Sequence, residues 1–373
     1  MVLALAAPAG LAAQSSQFGV RGLGLPGRPL STRGFSLGGA FGMFDGESGV
    51  NPAAIGQLTG FSAGFTSVQD FRHDENPAGS KSLRETRFPF LMIAGPIKKY
   101  PMILGVSFGN YTSRDFTLAT ADTVTLRELP VAVNDTFSSR GGLSDLRFAA
   151  AYRIEKAWVV GASVHVITGS TRLRFRRTFS DTIAYQRVTQ KSELSYAGVG
   201  VDLGLIRNFG TGFSVAASVR SDGHANVDRD SMRVATTDLP YTFGLGLRWQ
   251  AGPKLQLASQ ARATTWSSAN SDLIAQGGIG AENTFEVSLG GEYISNPRRP
   301  NRRPLRFGVR YGTLPFPLVA GDQPSEFGIS AGTGVRFAQD RAGVDIGVEH
   351  VWRSSPGFKE RAFLLDLGIT VRP

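Results

Sequence analysis

The feature that most constrains this chain is a two-residue hydrophobic period that runs from about residue 59 to the C-terminal end. One example is the run Tyr241-Thr-Phe-Gly-Leu-Gly-Leu-Arg-Trp249, in which every second side chain is apolar. Successive side chains of a β-strand point to opposite faces, so each such run predicts a strand with one apolar face. Runs of this kind recur about fourteen times between residues 59 and 372. An even number of antiparallel strands can close into a barrel.

The character of the second face separates a membrane barrel from a soluble β-protein. A soluble sheet covers its outer face with Lys, Glu and Thr, whereas here the second face carries Gly, Ala and Ser with isolated charges. Mean hydropathy is -0.07, as expected where lipid-facing and lumen-facing residues alternate. The sequence therefore predicts an all-β fold, a transmembrane antiparallel β-barrel of about 14 strands. Aromatic residues near the ends of the apolar rows are typical of interfacial girdles: Tyr152, Trp158, Tyr241, Trp249, Trp266, Tyr293, Tyr311 and Trp352.

The first residues have the character of a secretory signal. Residues 1–13 are an apolar stretch that ends in small residues, too short to span a membrane. We interpret residues 1–13 as a signal peptide, either whole or truncated, since a positively charged start is missing, with a buried N-terminal helix as the alternative. This division leaves residues 14–58 ahead of the barrel, which occupies residues 59–373.

Motifs for covalent chemistry are weak. The chain has no cysteine and four histidines, and it contains no paired metal-ligand motif. Gly-x-Ser-x-Gly occurs at Ser36, Ser107 and Ser330, and three copies in a glycine-rich chain point to chance. Gly22-Leu-Gly24-Leu-Pro-Gly27 matches a dinucleotide fingerprint but follows no strand, which favours a flexible segment. We expect no enzyme activity, no cofactor and no metal. Inner-face carboxylates are expected to form ion pairs with neighbouring arginines: Asp202, Glu286, Glu292, Asp345, Glu349 and Asp366.

The net charge of +10 is spread over single basic residues, which favours a basic rim near anionic lipid over nucleic acid. Two longer connections, Ala119–Arg140 and Asn296–Pro304, are expected to be loops that face the exterior. The second is a Pro/Arg-rich basic cluster. It is either a stiff solvated loop or a contact with the phosphates of outer-membrane lipopolysaccharide.

The segment before the first strand carries a resemblance to a known family. It contains Gly38-Gly39-Ala40, Asp45 and then Asn51-Pro52-Ala53, and Leu239-Pro240 later opens a strand that is followed by Thr265-Trp266-Ser. This order resembles the FadL-type outer-membrane channels. The resemblance implies a fourteen-stranded barrel with residues 14–58 as a plug, or hatch, inside the lumen. It also implies passive transport of long-chain fatty acids or other hydrophobic molecules across the outer membrane of a Gram-negative-type bacterium.

In such channels an inward kink of the third strand lets the ligand leave sideways. The resemblance therefore makes Gly109-Asn110 the candidate kink, with an ordinary glycine in a strand as the alternative. Candidate ligand-binding residues are apolar side chains near the plug and inner-face arginines for a carboxylate head group: Phe18, Phe41, Phe44, Arg248, Arg310 and Arg336. The alternative function is a docking or shuttle component for secreted surface proteins. During biogenesis the barrel-assembly machinery is an expected partner, with Phe363 or the strand pattern as its signal.

Overall fold

The computed structural model describes residues 16–77, 79–155, 157–275, 277–296 and 303–372. The predicted signal segment, residues 1–13, lies outside the described residues. No helix among the described residues is long and apolar enough to cross a membrane. The helices are α1 (Thr32–Ser36) and α2 (Asn270–Ala275), with short 3-10 turns at Gln17–Gly19, Pro52–Gln57 and Trp266–Ala269.

Strands make up most of the described chain. In chain order they are β1 (Leu25–Pro26), β2 (Ser62–Asn76), β3 (Gly79–Pro96), β4 (Met102–Ser113), β5 (Phe116–Leu126), β6 (Leu129–Ile154), β7 (Trp158–Phe179), β8 (Val188–Phe209), β9 (Phe213–Ser221), β10 (His224–Arg229), β11 (Met232–Asp238), β12 (Tyr241–Gln250), β13 (Leu255–Thr264), β14 (Thr284–Tyr293), β15 (Leu305–Thr313), β16 (Ser325–Phe337), β17 (Ala342–Ser355) and β18 (Phe358–Val371).

These strands form one antiparallel sheet that closes on itself, because β18 pairs with β2 along thirteen residue pairs from Lys359↔Glu75 to Val371↔Ala63. Three wall strands are each built from two consecutive segments, namely β4 with β5, β9 with β10, and β11 with β12. Leaving β1 aside, the wall has 14 strands. The predicted all-β barrel is confirmed.

The two faces of the wall follow the predicted alternation. Along β12, Tyr241, Phe243, Leu245, Leu247 and Trp249 are exposed on the outside. Trp266 differs from the predicted girdle: it is only 4% exposed. The reason is that β13 ends at Thr264 and the chain then turns inward, so the Trp266 ring packs edge-on against Phe316 with centroids 5.2 Å apart.

The two ends of the barrel differ. At the end where β2 begins and β18 finishes, connections such as residues 155–157 and 210–212 are short. At the opposite end β5, β6, β7 and β8 continue into a sheet extension, and the β13–β14 connection contains α2. Outer-membrane barrels have short periplasmic turns and long extracellular loops, and the second end has the character of the extracellular end of such a barrel.

Both predicted exterior loops need correction. Residues 119–140 are not a loop, because β5 pairs with β6 from Phe116↔Ser139 to Leu126↔Leu129. Thr and Val alternate in this part of the chain, and a two-residue turn of positive φ, Arg127 and Glu128, reverses its direction. The loop at 296–304 joins Tyr293 of β14 to Leu305 of β15, which end at the short-turn end. It is therefore at the end opposite the expected one, although residues 297–302 themselves lie outside the described residues.

Residues 16–58, here called the inner segment, lie against the inner face of the wall. Contact is close where the wall carries glycine. A Cβ at Gly161 would overlap the backbone of Pro52 and Ala53, one at Gly204 would overlap the side chain of Asn51, and one at Gly308 would overlap the backbone of Leu37 and Gly38. The glycine-rich second face of the strands therefore makes room for a second layer of chain inside the barrel.

Polar contacts also hold the inner segment. Arg372 donates to Glu47 at 2.6 Å, just beyond the end of β18, and Ser62 Oγ donates to the same carboxylate at 2.8 Å. Burial alone would raise the pKa of Glu47, but Arg372 and the hydrogen bonds hold the pKa below its ordinary value of 4.5. Glu47 is therefore ionised at neutral pH and attached to the last strand.

We expect Gly308→Ala to lower the free energy of unfolding by about 1–3 kcal/mol, because the added methyl group displaces the backbone at Leu37 and Gly38. The measurement is the temperature at which the folded band disappears in unboiled gel electrophoresis. Gly252→Ala is the matched control, since nothing lies within 4 Å of a Cβ there. Equal transition temperatures for the two variants would contradict close contact at Gly308.

We expect Glu47→Gln to lower the free energy of unfolding by about 1–3 kcal/mol at neutral pH, since it removes charge-assisted hydrogen bonds from a buried group. Because the folded pKa is depressed, this stabilisation is present above the unfolded pKa and is lost as the pH falls through the folded value. The difference in stability between wild type and Glu47→Gln is therefore expected to shrink on acidification. A difference independent of pH would argue against an ionised Glu47, and Gln69→Glu on the wall is a control for a simple change of charge.

Candidate functional site

The wall has a break in its hydrogen bonding between β3 and β4. The two strands pair from Pro96↔Ile103 to Phe90↔Gly109. Beyond that point, residues 79–89 of β3 have no partner on this side among the described strands, and β5 pairs only with β6. The register of β4 against β6 shifts between Asn110 and Thr112. The predicted kink residues Gly109-Asn110 lie where the pairing stops, and their role in ligand release stays a prediction.

A cavity of about 410 Å³ occupies this break. Its outer part is lined by Phe88 and Phe108, which are 63% and 45% exposed on the outer surface of the barrel. Its inner part is lined by residues 25–28, Leu30 and Phe35 of the inner segment. The cavity therefore passes through the wall from the lipid-facing surface to the inner segment.

Residues 25–28, here called the partition strip, pair with the free edge of β4 at the break but not with β3. Leu25 is opposite Ser113 and Pro26 is opposite Thr112 in an antiparallel pair, and the amide of Gly27 donates to the Tyr111 carbonyl at 2.8 Å. A Cβ at Gly27 would overlap the Asn110 carbonyl, so only glycine allows this approach. The prediction that residues 22–27 are a flexible segment was wrong, because Leu23 and Leu25 are buried apolar anchors.

A second cavity of about 160 Å³ lies deeper in the lumen. Six residues line both cavities: Leu25, Pro26, Gly27, Arg28, Asn110 and Arg353. The partition strip thus lies between a lumenal space and the opening in the wall. The lumenal cavity is bordered by Tyr111, whose hydroxyl donates to Asp222 at 2.8 Å, and by the ring of Trp266, 6.2 Å from the Tyr111 ring.

Arg28 fixes the partition strip to the opposite wall. Its guanidinium contacts Glu349 at 3.2 Å and Glu286 at 3.8 Å, and it donates to the Gly38 carbonyl at 2.9 Å. Glu349 also accepts from Arg310 at 2.6 Å. The strip is therefore held by a two-residue β-pair on one side and by one arginine on the other.

The predicted plug residues form a compact turn inside the barrel. The side-chain oxygen Oδ1 of Asn51 accepts from the Ala53 amide at 3.0 Å, and the side-chain nitrogen Nδ2 donates to the Met43 carbonyl at 3.0 Å. Pro52 begins the 3-10 turn. Gly38 and Gly39 have φ values of 66° and 94°, a conformation that favours glycine. Their function as a hatch stays a prediction.

The structure does not bring the three candidate phenylalanines together. Phe18, Phe41 and Phe44 are buried in three separate apolar clusters, and none of them lines either cavity. Phe41 lies under Arg33, with 5.0 Å from the guanidinium carbon to the ring centroid. Burial alone would lower the pKa of Arg33, but Glu292 at 2.7 Å and Asp45 keep it above its ordinary value.

The candidate arginines differ in how they are partnered. Arg310 contacts Glu326 and Glu349, and Arg336 contacts Asp345 at 2.8 Å. Arg248 has no carboxylate partner among the described residues. It donates to Ser214 at 3.0 Å and lies 4.9 Å from the centroid of the Phe44 ring. Of the three, Arg248 is the one whose charge is not already balanced by a side chain.

The expected ion pairs are found for five of the six inner-face carboxylates. They are Asp202 with Arg147, Glu286 with Arg262, Glu292 with Arg306, Asp345 with Arg336, and Glu349 with Arg310. Asp366 instead accepts from Thr32 Oγ1 at 2.8 Å. Within the described ranges, no three His, Asp or Glu side chains are grouped as metal ligands. Ser36 and Ser330 serve packing: Ser330 Oγ donates to the Ser36 carbonyl at 3.0 Å.

Sequence reasoning missed the partition strip and the two outer phenylalanines. One signal was available for the opening: Phe88-Pro89 places a proline inside β3, and proline within a sheet marks an edge because it lacks an amide proton. Pairing with β4 begins at the next residue, Phe90. The strip itself has no such signal, because Leu25–Pro26 is too short to give a period.

Several solved structures share this architecture. A Pseudomonas aeruginosa FadL homologue has a TM-score of 0.64 at 13% identity and covers 93% of this chain and 99% of its own. The toluene transporters TodX of Pseudomonas putida and TbuX of Ralstonia pickettii have TM-scores of 0.58 and 0.56 at 12% and 14% identity. The alignments with TodX and TbuX include 94% and 93% of this chain and 99% of each transporter's own chain. The resemblance to FadL-type channels is confirmed for the fold.

No curated protein matches the chain. The sequence model of one family, BamG, matches the chain over residues 47–233. This range begins in the inner segment and ends in β11. That match covers about half of the chain. The protein described here is therefore a member of the BamG family with a FadL-type barrel.

Proposed function

We propose that this protein is a passive transporter of hydrophobic small molecules in the outer membrane of a Gram-negative-type bacterium. The observation that carries the proposal is the cavity through the wall, which runs from Phe88 and Phe108 on the outer surface to the partition strip. The FadL homologue and the toluene transporters lend support through their shared architecture. Long-chain fatty acids are the substrate class that the family resemblance implies.

The proposed route leads from the lumenal cavity past the partition strip and out between β3 and β4. An apolar solute that leaves the protein between β3 and β4 enters the lipid directly and so avoids the free-energy cost of crossing bulk water. Displacing the strip breaks its short pairing with β4, the bond from Gly27 to Tyr111 and the contacts of Arg28, but no long run of strand pairing. The strip is in this proposal the moving element, and the strands of the wall stay fixed.

A fatty acid also needs a partner for its carboxylate. Arg248 is the candidate for this role, since its charge has no carboxylate partner among the described residues, but it lines neither cavity, so the head group would bind beside the route and not on it. A charge-assisted pair between guanidinium and carboxylate is strong in a partly dry lumen. Arg310 and Arg336 are already occupied by acidic side chains and would bind a head group only after releasing them.

The second candidate function is docking of surface proteins. The observation in its favour is that residues 79–89 of β3 and the whole of β5 have one edge without a strand partner among the described residues. Such edges accept an extended peptide from another protein by strand addition. Transport and docking predict different consequences when the partition strip is immobilised.

We expect a cross-link between Leu25→Cys and Ser113→Cys to reduce oleate uptake into liposomes by about tenfold or more, because it locks the partition strip to β4. The chain has no cysteine of its own, so the link forms only between the introduced thiols. Radiolabelled oleate and toluene are the probes. Reducing the link with dithiothreitol is expected to restore uptake.

The matched control is a cross-link of Ser325→Cys with Ser354→Cys, whose hydroxyl oxygens are 3.2 Å apart on adjacent wall strands away from both cavities. It is expected to leave uptake unchanged. If the locked strip transports both probes at the unlocked rate, the proposed route is wrong. If neither form of the protein transports any apolar probe, docking becomes the better hypothesis.

A further inference from the structure

The outer face of the sheet extension changes character along its strands. On β7, Val160 and Val164 point outward and are exposed, as is Val199 on β8. Further along the same face, β7 carries Arg172, Arg174 and Arg176 at every second position, and β8 carries Lys191. An apolar lipid-facing row therefore continues into a row of cations on the same strands.

These outward cations are poorly balanced by acidic side chains. Arg172 has Glu193 at 3.5 Å, whereas Arg174, Arg176 and Lys191 have no ion pair among the described residues. The Nε of Arg176 is covered from solvent and has no hydrogen-bond partner there. On the inner face of the same extension the situation is different: Arg177 pairs with Asp135 at 2.6 Å. The imbalance is therefore confined to the outward face.

The cations are also forced together by the register. Arg174 is directly opposite Lys191, and Arg176 is opposite Thr189. Like charges directly opposite each other across two strands are destabilising, and those at alternate positions of one strand are only about 7 Å apart. The face is a groove of about 510 Å³, lined by Arg174, Arg176, Arg187, Thr189 and Lys191. A bound anion would relieve the repulsion.

The height of the groove above the hydrocarbon layer indicates which kind of anion binds there. A barrel strand tilted by about 40° rises some 2.5 Å per residue along the barrel axis, so an apolar band ~25 Å tall that begins at Trp158 ends roughly ten residues later, near Thr168. Arg172, Arg174 and Arg176 then lie about 10–20 Å above the hydrocarbon. This is above the headgroup layer of a phospholipid, which reaches about 5–8 Å beyond the hydrocarbon, and within the layer occupied by the phosphorylated sugars of an outer-leaflet glycolipid.

We propose that the outward groove formed by Arg174, Arg176 and Lys191 binds the phosphate groups of lipopolysaccharide in the outer leaflet. The inference rests on the outer-membrane location in the proposed function, but not on transport. The continuity of the groove with the lipid-facing wall favours a lipid over a soluble acidic protein. Guanidinium and ammonium groups supply the charge, and Thr189 supplies a hydroxyl beside Arg176.

The test uses the purified full chain in a neutral detergent and lipopolysaccharide that consists of lipid A and inner core. We expect the triple variant Arg174→Gln, Arg176→Gln, Lys191→Gln to bind it at least about tenfold more weakly than wild type, and with a smaller salt dependence. Dephosphorylated lipopolysaccharide is expected to bind wild type as weakly as the variant binds the intact lipid.

The matched control variant is Lys98→Gln, Lys99→Gln, Arg341→Gln, which removes three exposed cations at the opposite end of the barrel. It is expected to keep wild-type affinity, and both variants are expected to keep the heat-resistant folded band. Equal binding by wild type and the groove variant would overturn the proposal. So would equal affinity of wild type for phosphatidylglycerol nanodiscs, or tighter binding of poly-glutamate.

Oleate uptake by the groove variant in liposomes is expected at the wild-type rate. That measurement separates the two proposals, because uptake depends on the partition strip and lipopolysaccharide binding on the groove. Loss of uptake in the locked-strip variant with unchanged lipopolysaccharide affinity supports both. A groove variant that loses uptake in liposomes free of lipopolysaccharide would show that these cations serve transport, against the proposal.

Discussion

The structure depends on one constraint: in hydrocarbon every backbone amide and carbonyl must find a partner within the protein. The pairing of β18 with β2 meets it by closing the wall. Among the described residues the departure from it is the break between β3 and β4, and there the inner segment supplies partners, with Gly27 donating to Tyr111. The element that partners the free edge of β4 is thus the element that lies across the opening. Architecture and candidate passage follow from the same requirement.

Inside the wall, steric fit and charge act together. At Gly161, Gly204 and Gly308 the inner segment lies directly against the strands. These close contacts fix the position of the inner segment inside the barrel. Arg28 and Arg33 then pair with carboxylates on the wall. Buried ion pairs contribute little net stability because both partners lose their hydration, so their effect here is mainly to fix position.

The barrel was predictable because alternation is repeated in every strand, so errors in single segments do not change the fold. Residues 119–140 were misread since their polar alternation lacks an apolar face, although backbone pairing forms a hairpin regardless. The sequence indicated ion pairs on the inner face but not their partners, since Arg28 reaches Glu349 across 321 positions of sequence. Phe18, Phe41 and Phe44 are close in sequence to the strip and still lie in separate clusters, because each packs against a different group of residues. A local sequence pattern cannot predict which distant residues a side chain contacts.

The contact between Leu37 and Gly308, and the hydrogen bond from Ser16 to Glu360 across 344 positions, have a consequence for the timing of folding. The inner segment is synthesised before the strands that receive it, because it precedes them in the sequence by up to 344 positions. Contacts between residues so far apart in the sequence form late, because the entropic cost of closing the whole intervening chain must be met before the contact stabilises the fold. The residues made earliest are therefore placed at the end of folding. Until then their apolar side chains need protection from aggregation by something other than their own barrel.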